Sequence, residues 1–475
     1  MKLGWVDMQG LSQLSDAKRI LFDRYSQGRV SSGPKIGRRP QGSPAPLSLV
    51  QEQLYFRELE FAGNPPLYNE CVTVRMLGPL DPDVLERSFN EIIRRHEVWR
   101  TSFETKAGRP VQIVHPHKPT QFSRIDLRRL AEAERETEAV RLVSEDVGRP
   151  FQLNNGPLLR PTLVRMSDED HRLFLAVHQI VVDGRSAYQI YPSELAVHYK
   201  AFLAGQPSPL PELKIQCADF AWWQRESLNG EEAKQINYWR EQLGGNLPVR
   251  GWPSEKLNSA ARSCCGRIHP FAFSPQLSTQ IRDVSRRLNS TLFLVLLTGL
   301  ASVIHRYEKR GDVVLGTLSP SGRKQGEVID LLGYFLNPVA LRLNCDAHTT
   351  FSELLHHARG IVSDAISNDD VPIERLARAL EGQDGSGSDP GPSPFFNVAV
   401  SLQPPASDLG LPWSVTSMDV ESGGSPWPLY LAFIDRPEGI IGRVQFNPDL
   451  FEIATIKRVL QDLQLFFETI CVQEP

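Results

Sequence analysis

The stretch Val177-His178-Gln179-Ile180-Val181-Val182-Asp183-Gly184-Arg185-Ser186 joins a predicted strand to a predicted helix. Its connecting segment, residues 179–184, is called the polar loop after Gln179 and Asp183, which flank three apolar residues. Apolar side chains recur at every second position through Arg172–His178, which is typical of a strand. Apolar residues recur at helical spacing through Ser186–Leu203, which predicts a helix. Because successive side chains of a strand point to opposite faces, we expect His178 and Gln179 to point apart.

Strands and helices alternate on both sides of this stretch. Upstream, the pattern predicts a strand at Asn69–Met76 and a helix at Asp83–Arg95. Downstream, it predicts a helix at Ser290–Tyr307 and a strand at Asp312–Thr317. Two α/β halves of about 170 and 220 residues, joined near Gln206–Trp252, are the natural division of such a chain. In each half we expect helices packed against a mixed sheet.

The organisation of the chain follows from this division and from its Pro/Gly-rich breaks. A Ser/Gly/Pro/Arg-rich linker at 31–46 follows a short stretch with apolar residues near helical spacing. That leader helix could be a packed appendage, a docking segment or the tail of an upstream linker. We predict a leader helix and linker at 1–46, an N-terminal lobe with the polar loop at 47–215, an aromatic helix and inter-lobe connection at 216–255, and a C-terminal lobe at 256–475.

The composition excludes several classes of partner. Formal net charge is −4 and no basic block is interleaved with aromatic residues, so we expect no nucleic acid. No apolar run approaches the roughly 20 residues that span a bilayer, so we expect no membrane. Neither the six cysteines nor the histidines have metal-ligand spacing, and no Gly-x-x-x-x-Gly-Lys loop occurs, so we expect no metal and no cofactor bound by the chain itself. Reduced thiols of a cytoplasmic protein are expected.

A series of local patterns follows one order along the chain. The patterns are Ser48-x-x-Gln51-x-x-Leu54-Tyr55, Arg95-His96-Glu97-Val98-Trp99-Arg100-Thr101-Ser102-Phe103, Pro150-Phe151-Gln152-Leu153 with Gly156-Pro157-Leu158-Leu159-Arg160, Cys217-Ala218-Asp219-Phe220-Ala221-Trp222-Trp223, Leu332-Gly333-Tyr334-Phe335-Leu336-Asn337-Pro338, Asn368-Asp369-Asp370-Val371-Pro372-Ile373-Glu374 and Pro394-Phe395-Phe396-Asn397-Val398. Taken in this order, they resemble the patterns of nonribosomal peptide synthetase condensation domains over residues 47–475. Among the departures from the family patterns, Tyr55 stands where the family has Trp, Trp99 where it has Leu and Pro338 where it has Thr.

The resemblance implies both a fold and a setting. It implies two chloramphenicol-acetyltransferase-like α/β lobes in a V, with a tunnel at their junction. It implies donor and acceptor carrier proteins, each delivering a thioester on a phosphopantetheine arm, and an acyltransferase that joins donor and amine acceptor in an amide. Because the chain has no convincing Gly-Gly-x-Ser attachment site, we expect the arms to come from partner carriers or adjacent synthetase domains.

The resemblance also assigns roles within the polar loop, where the family pattern is His-His-x-x-x-Asp-Gly. The second histidine of that pattern faces the tunnel. It aligns with Gln179, because Asp183 has to follow four residues later. Gln179 therefore occupies the catalytic position, and His178 is expected to keep a structural role.

Three further residues of the loop region are expected to act with it. In this family Asp183 pairs with an arginine, and Arg160 is the matching candidate, so we expect a close, partly buried ion pair that shapes the loop. Gly184 would allow a close backbone approach or a positive φ, and its N–H could donate to a thioester oxygen. We expect Ser186 to cap the following helix.

The replacement at Gln179 leaves two functions open. Imidazole can accept a proton near neutral pH, whereas a glutamine amide can only donate and accept hydrogen bonds. The domain could form amides with Gln179 orienting the amine. Alternatively, it could be a silent member that passes a chain over or recruits a partner such as a tailoring protein.

Overall fold

The computed structural model describes most of the chain beyond the leader. The leader helix and the Gly/Ser/Pro-rich stretch at 382–394 lie outside the described residues. Of the predicted linker, residues 35–40 and 45–46 are described. Residues 35–40 lie against the N-terminal half: Ile36 is buried and Arg39 pairs with Asp219 at 3.2 Å. The described ranges are 35–40, 45–63, 65–227, 232–244, 264–308, 311–346, 350–381, 395–416 and 420–473.

The strands are numbered in chain order. They are β1 Ala45–Pro46, β2 Asn69–Leu77, β3 Thr101–Lys106, β4 Arg109–Val114, β5 Ser123–Asp126, β6 Leu159–Arg165, β7 Asp170–His178, β8 Arg267–Ala272, β9 Asp312–Ser319, β10 Asn337–Asn344, β11 Val398–Gln403, β12 Trp413–Thr416, β13 Leu429–Arg436 and β14 Gly439–Phe446.

The α-helices are numbered in the same way. They are α1 Leu49–Glu60, α2 Pro82–Arg95, α3 Glu132–Val147, α4 Tyr191–Leu203, α5 Cys217–Ser227, α6 Glu232–Leu243, α7 Pro275–Arg287, α8 Leu292–Glu308, α9 Phe351–Ser367, α10 Ile373–Glu381 and α11 Ile453–Gln473.

Local residues specify where several of these helices begin. The Ser48 hydroxyl accepts from the Gln51 N–H at 3.2 Å, and the Gln51 side chain accepts from the Ser48 N–H at 3.1 Å. This reciprocal capping box satisfies two N–H groups that have no partner within helix α1. Asp81 caps α2 by accepting from two N–H groups of its first turn, and a proline follows it at the first helical position.

The strands form three sheets. A five-stranded sheet has the order β12-β2-β7-β6-β5, and a six-stranded sheet has the order β10-β9-β11-β13-β14-β8. The third sheet, β1-β4-β3, is antiparallel. Both larger sheets mix parallel and antiparallel pairs, as predicted for the two halves.

Each larger sheet belongs to its own hydrophobic core. One core gathers the sheet β12-β2-β7-β6-β5 and helices α1 to α5, and the other gathers the six-stranded sheet and the helices from α6 onward. The chain is not divided cleanly between them. Strand β12 pairs with β2 through Ser414↔Arg75 and Val415↔Val74, and the segment around Leu331–Phe335 is buried in the first core. The residue boundaries of the predicted segments stay a prediction, but the second half of the chain contributes pieces to the first core.

The predicted elements around the polar loop are present, with ends shifted by one or two residues. The predicted helix at Ser186–Leu203 begins with a π-helical turn, Ser186–Ile190, before α4. The predicted capping role of Ser186 is wrong. Asp183 accepts from the Ser186 N–H at 2.8 Å, so the aspartate caps this turn.

The helices that the structure describes are too short or too polar, taken one at a time, to cross a bilayer. The pair α7 and α8 reaches the necessary length and apolar character only jointly, with a bend of 106° between the two helices.

Candidate functional site

Gln179 begins a single 3₁₀ turn, Gln179–Val181, directly after β7. Its N–H donates to the Tyr68 carbonyl at 2.7 Å, which extends the β2–β7 ladder by one residue pair. Its side chain is half-buried and makes no hydrogen bond with the residues that the structure describes. The backbone is therefore held in place, while the side-chain amide keeps a donor and an acceptor available.

His178 has a different environment from its neighbour, as the alternation along a strand predicts. Its side chain is 0% exposed. The rings of Tyr68 and Phe151 meet it edge to face, with centroids 6.1 and 6.3 Å away. Its Nδ1 accepts from the Ile180 N–H at 3.1 Å. The histidine therefore packs in the core and braces the turn that carries Gln179.

Asp183 forms a buried, bidentate ion pair with Arg323 of the second lobe. The Arg323 Nε donates to Oδ2 and its Nη2 to Oδ1, both at 2.8 Å. The two side chains are 0% and 4% exposed. The other N–H groups of Arg323 donate to the carbonyls of Val328 and Leu331, at 3.0 and 3.1 Å, so little of the guanidinium is left without a partner.

The predicted pairing of Asp183 with Arg160 is wrong. Arg160 lies on β6 with its Nε 3.1 Å from a carboxylate oxygen of Asp146 and its guanidinium carbon 3.8 Å from the centroid of the Phe151 ring. Burial lowers the pKa of Arg160 to about 10. The prediction failed because Arg160 lies on the side of the sheet that faces helix α3, which carries Asp146.

Sequence reasoning missed Arg323. It follows the predicted strand at Asp312–Thr317, about 140 residues beyond Asp183, and no local spacing links the two. No local signal marks it, because Arg323 stands among Ser, Gly, Lys and Gln residues that are typical of an exposed turn.

Ser186 and Arg185 extend the contact between the lobes. The Ser186 hydroxyl donates to the Gly333 carbonyl at 3.1 Å and accepts from an Arg323 nitrogen at 2.9 Å. Arg185 donates to the Ile329 carbonyl at 2.9 Å. Burial, followed by the neighbouring charge of Arg323, lowers the pKa of Arg185. The start of the helix is thus anchored to a loop that comes from the other half of the chain.

Gly184 lies against the end of β11. A Cβ at this position would come within 3.0 Å of the Gln403 Oε1 and 3.3 Å of the Pro404 Cδ. The predicted close approach is present, and the alternative of a positive φ is absent. Gly184 is the first residue after the Asp183 cap, so its N–H belongs to the group that has no partner within the helix.

Gln403, whose side chain lies opposite Gly184, is held by two hydroxyl groups. The Gln403 Nε2 lies 3.2 Å from the Ser401 hydroxyl and 3.1 Å from the Tyr430 hydroxyl. These hydroxyls are 2.6 Å apart, and burial raises the pKa of Tyr430 to about 12. Gln403 therefore presents its carbonyl oxygen toward Gly184 from a fixed position on the second lobe.

Two more ion pairs join the lobes near the loop. Arg443 on β14 lies 3.4 Å from the Glu70 carboxylate on β2. Arg57 on α1 lies 3.0 Å from the Glu374 carboxylate on α10. Together with Arg323 and Asp183 they make three ion pairs between the two halves of the chain.

Known proteins are similar to this chain over most of its length. A family model described as Condensation domain matches residues 42–473. A linear gramicidin synthase of Brevibacillus parabrevis is 37% identical over 446 residues, which are 92% of this chain and 9% of that synthase. The chain therefore spans a small part of the length of this relative.

Solved structures share the fold at lower sequence identity. The X-domain in its complex with OxyB from teicoplanin biosynthesis has a TM-score of 0.75 and 24% identity, over 93% of this chain and 96% of that one. The first condensation domain of the calcium-dependent antibiotic synthetase, in complex with a substrate analogue, has a TM-score of 0.75 and 20% identity, over 90% and 97%. Both show the two-lobed, chloramphenicol-acetyltransferase-like fold for this chain.

Proposed function

The chain belongs to the condensation-domain family of nonribosomal peptide assembly lines, and we propose that it forms an amide between a carrier-bound acyl thioester and a carrier-bound amine. The phosphopantetheine arms would come from carrier proteins or adjacent synthetase domains. We place the activity in the cytoplasm, in keeping with six cysteines that form no disulfide among the residues that the structure describes.

The observation that carries this proposal is an ordered loop around an available amide. His178 braces its first turn and the Asp183–Arg323 pair anchors its end. Between them the Gln179 side chain is half-buried and has no hydrogen-bond partner among the described residues. A loop held at both ends is suited to positioning a substrate, even without a titratable group at its centre.

The reaction places modest demands on a proton acceptor. The amine nitrogen attacks the thioester carbonyl, the C–S bond breaks, and the amine proton leaves as the carrier thiol is released. A free α-amine has a pKa of about 8, so part of it is already unprotonated near neutrality. Gln179 would accept a hydrogen bond from that amine, and the Gly184 N–H would donate to the carbonyl oxygen as negative charge develops.

The typical contributions of acid–base catalysis and of positioning to reaction rates favour positioning as sufficient for condensation. General acid–base catalysis typically supplies roughly 100- to 10,000-fold. Holding two reactants in the right geometry can lower the barrier by up to about 7–11 kcal/mol, which is more than acid–base catalysis supplies. The absence of an imidazole at residue 179 therefore slows a condensation reaction without abolishing it.

The test is transfer between loaded donor and acceptor carriers, followed by intact-protein mass spectrometry. We expect wild-type protein to form the amide and Gln179→Ala to lower the rate by about 10-fold or more, because the orienting hydrogen bond is lost. Gln179→His should raise the rate if proton transfer limits it. Condensation by wild type that is unaffected by Gln179→Ala would contradict the assignment of Gln179.

A platform that recruits a partner is the second candidate, and it is favoured by the non-titrating side chain at residue 179. The X-domain bound to OxyB supplies an example with the same fold. Under this function, wild type, Gln179→Ala and Gln179→His would all fail to transfer, yet a loaded carrier or a tailoring protein would bind. Binding measured with loaded and unloaded carriers separates the two functions.

A further inference from the structure

We infer that Glu58 is a positioning residue of the loop, and that its carboxylate accepts a hydrogen bond from the Nε2–H of His178. The inference deepens the proposed function, on which its catalytic consequence rests. Two orphaned atoms carry it: the Nε2 of His178 and the Oε2 of Glu58 are both fully buried and lack a hydrogen-bond partner among the described residues. They lie 3.7 Å apart.

The backbone decides which nitrogen of His178 carries the proton. The Ile180 N–H points at Nδ1 from 3.1 Å, and a backbone N–H can only donate. Nδ1 is therefore the acceptor, and a neutral His178 must carry its proton on Nε2. That proton faces the Oε2 of Glu58, an acceptor that has no other partner among the described residues.

The separation of the two atoms favours a direct contact. A separation of 3.7 Å is slightly longer than a hydrogen bond and too short for a bridging water, which would need two bonds of about 2.8 Å. The terminal torsion of a glutamate is soft, so a small rotation of the carboxylate closes the gap. Leaving a buried donor and a buried carboxylate unpaired would cost more than this rotation.

The hydrogen bond connects helix α1 to the catalytic position. Glu58 lies on α1, which begins at the Ser48 capping box and is tied to the second lobe by Arg57 and Glu374. From Glu58 the chain of contacts runs through the His178 ring to the Ile180 N–H. This N–H belongs to the turn whose first residue is Gln179. Glu58 thus acts on Gln179 through His178, without touching substrate.

The inference is tested by the tautomer of His178, which nuclear magnetic resonance reads from the two ring nitrogens of ¹⁵N-histidine-labelled protein. The His178 signals are assigned by their loss in His178→Asn. We expect the Nε2–H tautomer in wild type and in Glu58→Gln, whose amide oxygen still accepts. In Glu58→Leu we expect the ring signals to shift or broaden, because the acceptor is gone. The matched control is Glu60→Gln, two residues further along the same helix and exposed, which should leave the His178 signals unchanged.

Transfer kinetics supply the second readout. Glu58→Leu should lower kcat about 10-fold with little change in KM for the loaded acceptor carrier, and Glu58→Gln should restore most of it. Thermal unfolding shows whether each variant is folded. An Nδ1–H tautomer in wild type, or His178 signals that are unchanged in folded Glu58→Leu, would overturn the inference. If no protein transfers but the tautomer responds to Glu58→Leu, the proposed function fails and the hydrogen bond stands.

Discussion

At the scale of single residues, the loop combines a side chain that does not titrate with a set of paired groups around it. Gln179 stands at the position for which we propose a role in catalysis, and its amide can only donate and accept hydrogen bonds. The residues that shape the loop are paired: Asp183 with Arg323, Ser186 with Gly333, and His178 with the Ile180 N–H. Residue 179 therefore offers no proton transfer of its own, whereas the loop around it is held in place.

A double-mutant cycle tests which arginine supports Asp183. Removing either partner of a buried ion pair leaves an uncompensated charge, so Asp183→Ala and Arg323→Met should each lower the free energy of unfolding by about 3–5 kcal/mol. The double variant should cost much less than the sum, since no charge is left unpaired. Chemical denaturation of the four proteins measures this coupling.

Arg160 provides the matched control for that cycle. Its partners are Asp146 and the Phe151 ring, so Arg160→Met should be additive with Asp183→Ala to within about 0.5 kcal/mol. A large coupling between residues 160 and 183, with none between 183 and 323, would contradict the structure.

At the scale of elements, the short strand β12 is the clearest contribution of the second half of the chain to the first lobe. It comes from the second half of the chain and adds an edge to the sheet of the first half, beside β2. Val415 is buried in the first core, whereas Ser414, its neighbour on the other face, is exposed. Strand β12 therefore contributes Val415, which comes from the second half of the chain, to the core of the first lobe.

The contribution of β12 is measurable through this alternation. Val415→Ala removes buried methyl groups and should lower the free energy of unfolding by about 1–3 kcal/mol. Ser414→Ala should change it by less than about 0.5 kcal/mol, because the side chain is at the surface. Hydrogen exchange of the β2 amides should accelerate in Val415→Ala alone. Equal effects of the two substitutions would show that β12 does not pack as described.

At the scale of the whole molecule, the two cores depend on each other. Leu331, Leu332, Tyr334 and Phe335 come from the second half and are buried in the first core. The ion pairs Arg323–Asp183, Arg57–Glu374 and Arg443–Glu70 cross the same junction. Unfolding one lobe would therefore expose apolar surface and unpaired charges on the other.

We expect the lobes to unfold as one cooperative unit. Hydrogen exchange, followed by mass spectrometry at increasing denaturant, should give the same free energy of opening for β7 and for β13. Leu332→Ala should lower that value by about 2–5 kcal/mol for both strands. Leu465→Ala, at a leucine that is 58% exposed, is the control and should change neither strand appreciably. Separate transitions for the two sheets would contradict this interdependence.

Local sequence patterns were enough to predict several of the elements and their order along the chain. Period-2 alternation predicted β2 and β7, and helical periodicity predicted α2 and α8, because side-chain periodicity is a local consequence of backbone geometry. The same alternation predicted that His178 and Gln179 would differ in environment. They do, although the strand ends at His178 and Gln179 begins a 3₁₀ turn. The ordered motifs led to the family, which the matching of residues 42–473 confirms.

The partners of the charged groups, in contrast, depend on how the lobes pack together. Asp183 pairs with Arg323, from the other half of the chain, and the nearer candidate Arg160 points to the other side of its sheet, toward Asp146. Glu58 likewise reaches His178 across 120 positions in the chain. Charges pair through space with whichever group the packing of helices and sheets brings within hydrogen-bond distance, and periodicity along the chain carries no information about that distance.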